Sequence, residues 1–142
     1  MAFTGNFSCN VFKTGLMNGT FNFTSGTFYI ALYTNAATLD ASTTAYTATG
    51  EVVASGYTAG GLALTIAQAP TVGNSGSTAY ISFDNAAWTS ALTARGALIY
   101  QSGGGDPAVC VLDFGADKTT ANATFLITFP AADASGAIVR IS

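Results

Sequence analysis

Phe28-Tyr29-Ile30-Ala31-Leu32-Tyr33-Thr34 (FYIALYT) is the stretch that decides the fold. Phe28, Ile30 and Leu32 alternate with Tyr29, Ala31 and Tyr33, the period of two expected of a strand with two distinct faces. Both faces are apolar. Such a strand belongs inside a sheet that is covered on each side.

The same pattern recurs outward along the chain. LALTIAQ (62–68) puts Leu62, Leu64 and Ile66 on one face, and AYISFD (79–84) puts Ala79, Ile81 and Phe83 together. GALIYQ (96–101), AVCVLDF (108–114), TFLITF (124–129) and AIVRIS (137–142) follow. In TFLITF, Phe125, Ile127 and Phe129 oppose Thr124 and Thr128. Between the runs lie glycine-rich breaks: SGYTAGG (55–61), VGNSGS (72–77), QSGGGDP (101–107) and DASG (133–136). Short alternating strands with such breaks point to antiparallel pairing, not βαβ units. Helical spacing occurs only near the N-terminus. There Phe7, Val11, Phe12 and Leu16 form a stripe, with Ser8 as candidate N-cap and Gly19 as stop.

The expectation is an all-β chain, an antiparallel β-sandwich or jelly-roll-like domain with a short N-terminal helix over Phe7–Asn18. Residues 1–25 form an N-terminal segment and 26–142 a single sandwich domain. Its predicted core is Ile30, Leu32, Leu64, Ile81, Phe83, Leu98, Leu112, Ile127 and Val139. Asn35–Gly50 has no period and reads as an extended loop between strands, a kind of segment that is often functional.

Composition narrows function. The chain has 142 residues, enough for one domain with its own core. Charged residues make up 8%, against about 25% in an ordinary globular protein. Four basic residues and a net charge of −3 cannot form the phosphate-neutralising stripe of a nucleic-acid binder. No apolar run approaches the roughly 18 residues of a membrane span. The start MAFTGNFSCN lacks the basic and apolar regions of a secretory leader. Without a leader the four N-x-S/T sequons, at Asn6, Asn18, Asn22 and Asn122, read as products of composition. A surface of Gly, Ser, Thr, Asn and Ala with little charge suits a protein packed against others.

Candidate chemistry is sparse. DFGAD (113–117) contains the metal-binding tripeptide of protein kinases, but a kinase also needs a catalytic-loop His and a strand Lys in a chain about twice this length. This chain has no His. DFG is therefore read as following the strand AVCVL and opening a turn, with Asp113 accepting backbone N–H groups. A calcium ion wants six to eight oxygens, which the neighbours of Asp113 and Asp117 do not supply. Glu51 is the only glutamate, so a two-carboxylate hydrolase would have to be built from aspartates. No G-x-S-x-G elbow is present, and GYTAGG lacks the G-K-[ST] ending of a phosphate loop. It reads as a turn where two strands approach closely. Cys9 and Cys110 have no metal-ligand spacing. They read as buried thiols, with a disulfide between them left open. Arg95 suits an ion pair with an aspartate of its own or a neighbouring subunit. Tyr46 and Tyr57, in loop contexts, are the candidates for exposed aromatic contacts. No enzymatic activity, cofactor or metal is expected.

Three segments together, FYIALYTNAATLDASTTAYTATGEVVASGYTAGG, TARGALIY and VLDFGADKTTANATFLITFPAADASGAIVRI, resemble a family of small tailed-bacteriophage virion proteins, including those of cyanophages. The resemblance spans roughly Gly26 to Ile141. It implies a capsid cement or head decoration protein on the outer surface of the virion. The implied partner is the major capsid protein and the implied assembly a homotrimer. Neither nucleic acid nor membrane is contacted directly. The interface candidates are Phe7, Val11, Phe12, Leu16, Tyr46, Tyr57 and Arg95. The alternative is a tail-associated or fibre-knob protein that binds a host receptor glycan.

Overall fold

The computed structural model describes residues 3–73 and 76–142, so Asn74 and Ser75 of the expected turn VGNSGS lie outside the described residues. FYIALYT forms the strand Phe28–Tyr33 (β2), paired on both sides. Along its whole length it runs antiparallel to Thr93–Gln101 (β7), from Phe28 opposite Gln101 to Tyr33 opposite Gly96. Its other edge pairs with Leu62–Leu64 (β3). Ala108–Thr119 (β8) pairs with β7, and Phe7–Ser8 (β1) closes the sheet on β8. The result is a five-stranded sheet of order β1-β8-β7-β2-β3.

Two smaller antiparallel sheets complete the fold. Val139–Ile141 (β10), Ala79–Phe83 (β5) and Ile66–Val72 (β4) form one, with β5 central. Ala86–Trp88 (β6) and Phe125–Ile127 (β9) form the other. The chain is all-β, antiparallel and sandwich-like, with one short helix near its N-terminus. LALTIAQ does not make one strand. It breaks at Thr65, so that β3 joins the large sheet and β4 the small one, the corner by which a strand switches sheets. Pro70 sits in the edge strand β4, where its missing N–H costs no central ladder bond.

The helix is Asn10–Asn18 (α1), shorter than expected. Cys9, not Ser8, is its N-cap, and no side chain caps it; Ser8 instead pairs with Cys110 in the sheet. Gly19 ends it in the left-handed conformation, as expected. Phe12 and Gly15 are the buried face of α1. Phe12 meets Phe21 and Phe23 edge-on at 5.0 and 5.9 Å, and burying such a ring contributes roughly 2–3 kcal/mol. The N-terminal segment therefore shares one sheet and one core with the rest of the chain.

The two apolar faces of β2 find different covers. Phe28 stacks on Phe23 at 4.5 Å and tilts against Phe83 of β5 at 5.9 Å. The opposite face is roofed by the long loop after β2. There Tyr29 stacks on Tyr100 at 5.8 Å, and Tyr100 on Tyr46 of the loop at 5.0 Å. Of the predicted core, Ile30, Leu32, Leu64, Ile81, Phe83, Leu98 and Ile127 are buried. Leu112 and Val139 are only partly buried, because β8 and β10 leave the covered area at those positions. Both cysteines are buried free thiols. Burial raises the pKa of Cys9 to about 11 and that of Cys110 to about 12.

Candidate functional site

DFGAD is not a turn that ends a strand. β8 runs through it to Thr119, and the ladder to β7 slips there: Gly96 faces Asp113, but Ala94 faces Lys118. Arg95 alone thus opposes the four residues Phe114–Asp117, which form a bulge. Gly115 permits it with φ of 79°. The Asp113 carboxylate accepts the Gly115 N–H at 2.8 Å, and the Arg95 guanidinium donates to the same oxygen. The Asp113 N–H donates to Asn6 Oδ1 at 2.6 Å. Arg95 also lies over the Phe3 ring, 5.8 Å from its centroid. Asp113 therefore fastens the bulge, β7 and the N-terminal segment together. Among the described residues this is the single salt bridge, and no group of three or more His, Cys, Asp or Glu is placed to hold a metal ion.

A second polar cluster centres on Glu51, 7% exposed. Its Oε2 accepts the Tyr46 hydroxyl at 2.6 Å, and its Oε1 accepts both the Tyr57 hydroxyl and the Gly60 N–H at 2.7 Å. Tyr57 in turn accepts the Leu32 N–H at 2.8 Å, and Tyr100 donates to the Gly60 carbonyl at 2.7 Å. Beside it, Gly61, with φ of 83°, passes so close to β2 that a Cβ would run into the Ile30 carbonyl. This is the close approach expected of GYTAGG. Burial, then the hydrogen bonds to Glu51, push the Tyr46 and Tyr57 hydroxyls well above the usual tyrosine range. Burial likewise raises Tyr100, to about 12. The cluster holds its hydroxyls neutral and staples both ends of the loop to β2 and β7. Nothing in the sequence pattern singled it out, although the lone glutamate in a nearly charge-free stretch was the available signal.

These contacts correct the expectation for the two tyrosines and meet the one for Arg95, an ion pair with an aspartate. Tyr46 and Tyr57 are not exposed anchors; their hydroxyls turn inward onto Glu51, and their rings pack on Tyr100 and Trp88. The Arg95 side chain, 13% exposed, is committed to Asp113 of its own chain. Phe12 is buried, and Phe7, Val11 and Leu16 are partly buried against the core, so the N-terminal stripe has its own sheet as cover. The Asn35–Gly50 loop is strandless apart from a single bridge, Ala45 to Pro107. It is nonetheless tied down. Ala37 and Leu39 are buried, Ala41 O accepts the Asn10 N–H at 2.8 Å, and Tyr46 N–H donates to Asp106 O at 3.0 Å. Large apolar side chains left in water include Met17, Val53, Val72, Leu126 and Ile141.

A cleft of about 520 Å³ lies between the end of β8 and β9. Phe114, Phe125 and Ile127 line it, with threonines and Lys118. No protein-family model, no curated protein and no solved structure matches the chain.

Proposed function

We propose that this chain is a structural virion protein that binds the outside of a tailed-phage capsid and stabilises it as cement. Its partner is the major capsid protein, and it sits there as a homotrimer. The supporting observation is how the protein spends its few charges. Glu51 and the Asp113–Arg95 pair are internal fasteners that stiffen loop and sheet, and the eight charged residues that remain are scattered over a surface made mostly of small polar and apolar side chains. A surface of that kind loses little solvation when it is covered. A stiff scaffold loses little conformational freedom on docking. Many moderate contacts, repeated over a symmetric shell, then resist the outward pressure of packaged DNA. The resemblance to small phage virion proteins favours the same reading.

The role requires docking through surfaces other than the inward-turned Tyr46 and Tyr57. The outer side of the Asn35–Gly50 loop and the exposed end of α1 at Met17 are the segments assigned to it. Particles lacking the protein should assemble, release DNA at a lower temperature than complete ones, and recover when the purified protein is added back. Depleted particles that are as heat-resistant as complete ones but fail to adsorb to host cells would instead establish the tail-knob alternative.

A further inference from the structure

The cleft between β8 and β9 is bounded by two strand edges that have no neighbour among the described residues. β9 pairs only with β6, and β8 beyond Val111 pairs only with β7. Five consecutive residues, Thr124 through Thr128, line the cleft, as they do where a strand presents an edge. The two edges differ in how they are guarded. β8 is blunted by the bulge at 114–117 and by Lys118, two devices that natural edges use against pairing. β9 carries neither of these: no charge, proline or bulge interrupts Thr124–Phe129, and its short paired length of three residues is its one guard. Its exposed side chain is Leu126, 56% accessible. The sequence also signals a longer strand than the one that forms. Alternation runs over TFLITF, six residues, whereas pairing with β6 covers only Phe125–Ile127.

From these features we infer that β9 accepts an added strand: an extended, carboxylate-bearing segment of a partner polypeptide enters the cleft and pairs with the free edge of β9. Backbone N–H and C=O groups of the guest satisfy that edge, and its alternate apolar side chains fill the space against Phe114 and Phe125, whose rings are 6.3 Å apart. The guest is assigned a carboxylate because Lys118 is the one charged residue lining the cleft, and no carboxylate lies within ion-pair distance of it among the described residues. The inference rests on this geometry and stands or falls apart from the virion reading.

The probes are three synthetic nine-residue peptides of alternating valine and threonine, with one aspartate at the third, fifth or seventh position. Binding to the full chain is followed by fluorescence anisotropy and by amide shifts at Thr124–Thr128. At least one of the three should saturate. N-methylating alternate residues along one edge of that peptide should weaken binding about tenfold, and methylating the other edge should not, because only one edge bonds to β9. Leu126→Lys, at an exposed position that should leave folding intact, should weaken it similarly by guarding the edge. Lys118→Glu should shift preference about threefold toward a lysine-substituted peptide. The inference is overturned if no peptide binds at millimolar concentration, or if both methylated edges bind alike, which would mean an apolar groove that ignores backbone. It is also overturned if sedimentation finds wild-type dimers that Leu126→Lys abolishes, since the occupant would then be a second copy of this chain.

Discussion

Replacing Glu51 with alanine removes the acceptor for three donors at once. The Tyr46 and Tyr57 hydroxyls and the Gly60 N–H all lie 2.6–2.7 Å from its carboxylate. A hydrogen bond to a charged group contributes about 1.5–3 kcal/mol, so three taken at face value approach about 5–9 kcal/mol. Tyr46, Tyr57 and Gly60 are each only partly buried, and water reaches some of the freed donors. The expected loss is therefore about 3–5 kcal/mol, a large share of the roughly 5–15 kcal/mol that holds a domain folded. In thermal melts this appears as a fall of roughly 10–15 °C. Glu51→Gln should lose only about 1–2 kcal/mol. Its amide oxygen still accepts from Tyr57 and Gly60, and the Tyr46 hydroxyl can rotate to accept from the amide nitrogen. A cycle of Glu51→Ala with Tyr57→Phe should be non-additive by at least about 1 kcal/mol, because the two groups share one bond. Urea unfolding of the four proteins measures all of this. A Glu51→Ala chain within about 1 kcal/mol of wild type, or an additive cycle, refutes the view that this cluster anchors the loop.

The thiols and phenols predict alkaline sensitivity. Cys9 and Cys110 rise from 9.0 to about 11 and about 12, and Tyr100 from 10.0 to about 12; burial also raises Tyr33, Tyr46 and Tyr57. In each case the unfolded chain gives up its proton first, so stability is intact below about pH 9 and falls as pH climbs toward 12; a melting temperature that stays flat to about pH 11 contradicts this. Leu98→Ala, at a fully buried position, should lose about 3–5 kcal/mol in chemical denaturation. Leu112→Ala should lose less, about 1–2 kcal/mol, since that side chain is only partly buried; equal losses would show the core to be wrongly placed. Asp113→Asn should lower stability by about 1 kcal/mol through the weakened bonds to Arg95 and Gly115. It should leave the metal content of the purified protein unchanged by elemental analysis; a stoichiometric metal lost with the substitution would contradict the fastening role.

Period-two alternation was enough to find β2, β5, β7, β8 and β9, because their side chains feel two environments that alternate with the pleat. It could not tell which sheet each strand joins. LALTIAQ reads as one strand, yet the corner at Thr65 divides it, and nothing local marks Thr65 as a corner. DFGAD looked like a stop because Gly115 and two aspartates favour turns. The ladder absorbs them as a bulge, since β7 continues to offer partners at Ala94 and Thr93. β1 and β6 are two and three residues long, too short to show any period. The misplaced tyrosines have the same origin. Tyr46 and Tyr57 sit in segments without a period, where exposure is the default reading, and their partial burial depends on Glu51 and on a loop that folds back across β2 and β7.

A density map of the intact virion is the decisive check on the proposed cement role. In that role this sandwich-like domain is expected in hundreds of copies, seated on the outer capsid surface with each copy touching more than one capsid subunit. Density for it confined to a few copies on the tail, or its absence from the shell, would contradict that role.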